Sequence, residues 1–228
     1  MKQLLKSLVS HESRQALKFD AVRLRTRIRH GFKRSVPAEC NRLHFGCGTR
    51  RVAGWLNVDL MNSDLDVDLS QRLPWQSGQF NAVVSQHVIE HLELHRELLP
   101  LLREVRRVCL PGAEIWLSTP DLAVICRSYE TSKGADLLAD RVTRYPDWAG
   151  VMKGVPPSHM VNHLFHQMGQ HKNLLDCDLL AWALDQAGFV KSERVNEQKL
   201  RDRFPEFPIR NDDWQSLYVR AETPSLQP

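Results

Sequence analysis

The chain has 228 residues and a net charge of +4, enough for one α/β domain with additions and a core that needs no covalent staples. Its five cysteines, Cys40, Cys47, Cys109, Cys126 and Cys177, are odd in number, widely spaced and free of any CxxC pair, which argues against a disulfide framework or thiolate zinc site and for a reducing compartment. No apolar run approaches the roughly 18 residues of a membrane span, and MKQLLKSLVSHE at the start has neither the apolar region nor the cleavage site of a secretory signal, so a cytoplasmic protein is expected.

The charge is unevenly spread. Residues 1–36 hold ten Lys or Arg against Glu12 and Asp20, for +8, and the remainder sums to −4. Within this arm Leu4, Leu8, Leu17, Ala21, Leu24 and Ile28 give one or two amphipathic helices ending before Gly31 and by Pro37. The plainer reading docks the apolar stripe on the body and leaves the basic face in water. The sharper one is an interfacial helix at an anionic membrane surface or a phosphorylated partner. Phe19 and Phe32 are the only aromatics of the Phe, Trp and Tyr type among the basic residues of this arm, few for a base-stacking nucleic-acid surface.

Leu43–Phe45 then runs into Gly46-Cys47-Gly48, and Leu56–Val58 ends on Asp59. Glycines permit a sharp turn and close ligand approach. An acid ending the next strand can accept hydrogen bonds from a ribose. The nine or so residues between these strands are too few for a crossover helix of the usual ~10–12 residues or more, so the N-terminal helix is expected to cover the face this leaves bare. A third short strand is predicted near 66–69 and a fourth at 82–85. A helix is predicted over 95–108, with Leu98, Leu101, Leu102, Val105 and Val108 on one side and Pro111-Gly112 as its stop. A strand at 114–118 follows, then an irregular, His-rich region at 121–172, a helix at 178–186 before Gly188, and strands near 189–196 and 215–221.

The order HFGCG, NVD, DLSQRLPW, FNAVVSQHVIEHL, LREVRRVCLPGAEIWLSTP and LLAWALDQAGF resembles the class I S-adenosylmethionine (SAM)-dependent methyltransferases, in particular their bacterial type 11-like branch. The resemblance covers about 41–120 and 170–190. It implies a Rossmann-like α/β fold: a seven-stranded, mostly parallel sheet with the last strand antiparallel and truncated early crossovers. Residues 1–36 would be a basic helical extension, 37–222 the methyltransferase domain with 121–172 inserted as an acceptor region or lid, and 223–228 a fraying tail. It implies SAM as cofactor. Phe45, Gly46, Cys47 and Gly48 would meet its methionyl part, Asp59 and Leu60 its ribose, Asp68 and Leu69 its adenine, and Gln86 and His87 would lie beside the sulfonium. The expected reaction is methyl transfer to an oxygen or nitrogen of a small-molecule or saccharide acceptor, such as a surface sugar or lipid-linked saccharide, by a cytoplasmic enzyme peripheral at the inner membrane face. The alternative is a catalytically silent SAM-fold binding module.

His44 departs from that family, which usually has an acid there, and Arg50 stands where a third loop glycine is usual. Arg50 or Arg51 could pair with the cofactor carboxylate instead. Asn81 replaces a frequent acid at the start of the fourth strand. His87-Val88-Ile89-Glu90-His91 also spells an inverted zinc-protease pattern. That pattern needs a third ligand from far off, so Glu90 and His91 are read as bracing the next helix and no metal is expected. His159, His163, His166 and His171 cluster in the irregular region. Histidine suits proton abstraction near neutral pH, and His171, with His166 second, is the candidate base or acceptor ligand.

Overall fold

The computed structural model describes residues 10–30 and 40–225. Leu4, Leu8, the 31–37 helix end and the last three residues of the tail lie outside them. The strands β1 (Arg42–Phe45), β2 (Leu56–Asp59), β3 (Leu65–Asp66), β4 (Phe80–Gln86), β5 (Cys109–Pro120), β6 (Val190–Val195) and β7 (Ser216–Glu222) form one seven-stranded sheet in the order β3-β2-β1-β4-β5-β7-β6. All pairings are parallel except those of β7, which runs antiparallel to both β5 and β6. This is the Rossmann-like architecture the sequence implies. The order reverses at β1, which pairs with β2 on one side and β4 on the other. The carboxyl ends of β1 and β4 therefore flank a topological switch point, where open α/β sheets bind ligands.

The helix α1 (His11–His30) precedes the sheet, and α2 (Leu99–Val108) follows a π-helical turn over Leu94–Leu98. Leu98, Leu101, Leu102, Val105 and Val108 are all buried, as their spacing predicts, and pack against Phe45, Val83, Ile115 and Leu117 of one sheet face. The helix α7 (Cys177–Gln186) joins the same core through Leu180 and Leu184. The expected 121–172 irregular region is largely helical: α3 (Leu122–Ser132), α4 (Ala135–Arg144), α5 (Trp148–Val151) and α6 (Ser158–His166). Ile125, Leu137, Met160 and Leu164 give these helices a small core of their own. Asp121 caps α3, accepting from the Ala123 and Val124 amides, which satisfies donors that a helix start leaves open.

Side chains alternate along a strand, so Ala82 and Val84 of β4 point to the other face. That face is not covered by α1, contrary to expectation. It is covered by α8 (Glu197–Arg203) and the segment after it, whose Leu200, Phe204 and Phe207 pack with Val52, Trp55 and Trp116. Trp55 meets Phe204 and Phe207 edge-on at 5.0 and 4.9 Å. The helix α8 has a readable start that the sequence reading left unassigned: Asn196 accepts from the Lys199 amide as its cap.

The docking of α1 is the reverse of the plain amphipathic pattern. Its polar side faces the body. Thr26 is buried and donates to the Leu60 carbonyl at 2.9 Å, Arg27 Nε donates to Asp68 at 2.7 Å, and Arg23 donates to Glu97 at 3.1 Å. Leu17, Leu24 and Ile28 are 62, 58 and 59% exposed, and Ala21 between them is exposed too. Charge pairing with carboxylates on the sheet's carboxyl edge has taken precedence over burial of the apolar stripe.

Candidate active site

The chain turns sharply after β1. Gly46 and Gly48 have φ of 68° and 53°, the left-handed region that a side chain disfavours. A Cβ on Gly46 would lie 2.0 Å from Val88 Cγ2, so this glycine is what lets the loop after β4 close onto the loop after β1. A Cβ on Gly48 would meet no atom within 4 Å; that side of the turn is open. The turn's amides are spent internally: Gly46 N and Cys47 N donate to the Val58 carbonyl at 2.7 and 3.2 Å. Gly48 N donates to Asp59 Oδ2 at 2.8 Å, and Leu60 N to Asp59 Oδ1 at 2.6 Å. Each carboxylate oxygen accepts one backbone bond and keeps a lone pair for a ligand hydroxyl. Burial and the neighbouring Asp59 and Asp64 push the Cys47 thiol up to about 11, so it stays protonated and inert.

The loop that replaces the first crossover helix is held by Asn57. Its Oδ1 accepts from the Val52 amide at 2.8 Å, and its Nδ2 donates to Val52 O, Trp55 O and Asp64 Oδ2. His44 belongs to this network rather than to a ligand site. Its Nδ1 lies 3.1 Å from Asn57 Oδ1, and its ring packs edge-on against Phe207. Burial holds it neutral by lowering its pKa, against the raising effect of the Asn57 bond. Arg51 donates to the Asn62 carbonyl at 2.6 Å and pairs with Asp64 at 3.5 Å; Arg50 stands exposed on the turn.

Asp68, expected at the adenine edge, accepts from Ser70 N at 3.0 Å, Ser70 Oγ at 2.7 Å and Arg27 Nε at 2.7 Å. Burial would raise its pKa, but Ser70 and Arg27 outweigh it and hold the carboxyl below its usual value. Its oxygens thus serve to latch α1 across the β2 and β3 ends. Leu69 is half-buried beside it.

At the end of β4, Gln86 is buried, with Nε2 3.5 Å from the Tyr218 hydroxyl. His87 follows with a φ of 57°, a strained conformation for a non-glycine residue. Both ring nitrogens are engaged: Nδ1 lies 3.3 Å from Glu90, and Nε2 lies 3.0 Å from Asp212 and 3.1 Å from Ser216 Oγ. Burial opposes charging the ring, yet Asp212 and Glu90 outweigh it and raise its pKa, so His87 is a cationic brace between two carboxylates. Asp212, the partner that sequence reasoning missed, arrives because Ser216 of β7 pairs with Pro120 at the carboxyl end of β5. One turn on, the segment 171–173 is laced to this loop. Lys172 N and Asn173 N both donate to the Glu90 carbonyl, and Asn173 Nδ2 donates to the Leu92 carbonyl. His171 is thereby set against His91, ring centroids 4.9 Å apart. Burial lowers the His171 pKa, partly offset by its bond to the Leu164 carbonyl. His166 is exposed at the end of α6, and His163 packs on Trp148 instead.

Residues 65–117, from β3 into β5, match the model of a methyltransferase domain family. Over that span the chain is similar to the methyltransferase domain family, and its sheet order is that of a Rossmann-like α/β fold. No curated protein matches the sequence. Similar solved structures include a possible histamine N-methyltransferase from Thermotoga maritima, 15% identical over 92% of this chain and 97% of that one, with a TM-score of 0.47. A phosphoethanolamine N-methyltransferase 2 from Haemonchus contortus, solved with SAM, is 13% identical over 89% of this chain and 52% of that one, with a TM-score of 0.45. The CurJ carbon methyltransferase is 13% identical over 84% of this chain and 50% of that one, at 0.44. This chain thus spans about half the length of the last two.

The residues at the switch point fit SAM, the cofactor that this similarity implies. Asp59 offers paired acceptors to a ribose, Gly48 leaves the turn face open, and Gln86 and His87 end the adjoining strand. Among the described residues no helix is long and apolar enough to cross a membrane.

Gly46→Ala tests the turn. The left-handed backbone costs an alanine about 1–2 kcal/mol, and overpacking on Val88 adds about 1–3 kcal/mol. Urea unfolding should show the sum in the single variant. Gly46→Ala in a Val88→Ala background should show a smaller loss, because the 2.0 Å clash with Val88 Cγ2 is gone and only the 3.0 Å approach to Cβ remains. Equal losses in both backgrounds would mean that the two loops do not meet here.

Proposed function

We propose that this methyltransferase acts on an oxygen or nitrogen of a small polar acceptor, with a saccharide or lipid-linked saccharide as the class. The observation that carries the site assignment is the Asp59 carboxylate, bonded to the amides of Gly48 and Leu60 and so aimed by both loops of the switch point. When bound, SAM supplies an electrophilic methyl on its sulfonium. The chain supplies position and exclusion of water, the larger part of such catalysis. The Val88 contact on Gly46 closes the two loops against each other, and Arg23, Thr26 and Arg27 hold α1 over the edge beside them.

His171 is the acceptor-side base or ligand in this reading. Its Nδ1 lies 2.5 Å from the Leu164 carbonyl. A carbonyl only accepts, so Nδ1 carries the proton and Nε2 keeps the lone pair that proton abstraction needs. His166 is the second candidate. Trp214 supports a saccharide: it is 47% exposed and follows by two residues the Asp212 that braces His87, and an exposed indole can stack on a sugar ring.

Two variants separate the roles. Asp59→Ala should weaken SAM or S-adenosylhomocysteine binding by about 1.5–3 kcal/mol, the range for hydrogen bonds to a charged group. His171→Ala should keep that affinity and lose about 10²–10⁴-fold in turnover. Calorimetry and single-turnover rates on a panel of glycan and nucleotide-sugar acceptors read both. Unchanged cofactor affinity in folded Asp59→Ala would remove the site assignment.

The exposed stripe of Leu17, Ala21, Leu24 and Ile28, flanked by exposed Lys18 and Arg25, supports an anionic membrane surface as the partner of α1. Apolar burial would add to roughly 1 kcal/mol per basic residue near such a surface. Flotation with phosphatidylserine vesicles checks it. Replacing Leu17, Leu24 and Ile28 by Gln should lower binding by about 10-fold or more, and equal binding of the triple variant would place the membrane elsewhere or nowhere.

A further inference from the structure

Glu90, His91 and His171 converge beside the cofactor site in a way that methyl transfer alone does not require. One ring nitrogen from each histidine and one carboxylate oxygen of Glu90 lie within 4.8 Å of one another. We propose that these three side chains bind a single divalent transition-metal ion. This is not the ligand set of the inverted zinc-protease pattern: His87 is engaged elsewhere, and the fold brings His171 to Glu90 and His91 instead.

Three independent features support it. First, the imidazoles are set as ligands. His91 Nδ1 lies 3.1 Å from the Gln170 carbonyl and His171 Nδ1 2.5 Å from the Leu164 carbonyl. Both Nδ1 atoms therefore carry protons and both Nε2 atoms keep lone pairs. This is the outer arrangement that fixes tautomer and ring direction in metal-binding histidines. Second, Glu90 is 1% exposed, and its Oε2 has no hydrogen-bond partner among the described residues. A buried carboxylate oxygen without a donor is costly, and a cation between Oε2 and the imidazoles satisfies it. Oε1 faces His87 instead, so the glutamate is oriented from behind. Third, the scaffold is stiff, because Lys172 N and Asn173 N close onto the Glu90 carbonyl at 2.8 and 3.1 Å.

The donor set selects the ion. Two imidazoles and a carboxylate suit zinc, iron, cobalt or nickel better than magnesium or calcium, which prefer all-oxygen shells. Three protein ligands leave a position open for water or an acceptor oxygen. His87 is not a ligand, since Glu90 and Asp212 take both its nitrogens. In the methyltransferase reading, on which this further step rests, an acceptor hydroxyl on the ion would lose its proton to solvent more readily, and His171 would act through the ion rather than as a free base.

The test uses the full chain, stripped with chelator and titrated with Zn²⁺ by calorimetry and with Co²⁺ by visible absorption. One ion per chain and cobalt d–d bands are expected. His91→Ala and His171→Ala should weaken Zn²⁺ binding by at least the roughly 10–100-fold that loss of even an outer partner costs. Glu90→Gln, which keeps the side chain's size, should do the same, and the exposed His159→Ala should not. Zinc-edge absorption of the unmodified protein, reading two imidazoles and a carboxylate oxygen, needs no variant to fold. Absence of stoichiometric binding, or equal binding by the His91 and His171 variants, overturns the proposal. Calorimetry with S-adenosylhomocysteine on the same samples keeps the two readings apart: cofactor bound without metal removes the ion alone, and metal bound without cofactor removes the methyltransferase placement alone.

Discussion

The hydrogen bond from the Gly48 amide to the Asp59 carboxylate ties the end of β1 to the end of β2, and the rest of the site is arranged against it. The same carboxylate takes the Leu60 amide, and Leu60 in turn offers its carbonyl to Thr26 of α1. On the other side of the turn, Gly46 is the seat for Val88. Val88 lies between the braced His87 and the Glu90 loop that His171 joins. One acid thus links the turn after β1 to the N-terminal helix, and the same turn seats the loop after β4.

The second constraint is the short connection between β1 and β2. Without a crossover helix there, one sheet face needs another cover, and a wide loop needs another anchor. Phe204, Phe207 and Leu200 supply the cover. Asn57, with His44 and Asp64 around it, supplies the anchor. At this strand position, where the resembling family usually has an acid, the His44 side chain faces Phe207 and Asn57 and is buried, which favours a neutral group.

Local chemistry made parts of this legible in advance. A glycine turn after an apolar strand, an acid ending the next strand, and leucines at helical spacing before Pro111-Gly112 each carry their meaning within a few residues. Distant partners do not. The sequence of α1 shows an apolar stripe but not the buried Asp68 and half-buried Glu97 that recruit its arginines, so the stripe alone points to the opposite face from the one that docks. His87 reads as a free side chain beside a sulfonium until Asp212 arrives from the antiparallel end of the sheet. His91 and His171 meet only because backbone bonds lace 172–173 to Glu90. The His-rich region has helical order that its irregular apolar spacing concealed.

In the proposed function, Asp59 and the Gly46–Gly48 turn form the nucleoside end of a SAM site. A crystal structure of the chain with S-adenosylhomocysteine tests it most directly. Both ribose hydroxyls should lie within hydrogen-bond distance, about 2.5–3.0 Å, of the Asp59 carboxylate, and the thioether sulfur beside Gln86 and His87. A nucleoside bound elsewhere, with Asp59 making only its bonds to Gly48 and Leu60, would contradict it.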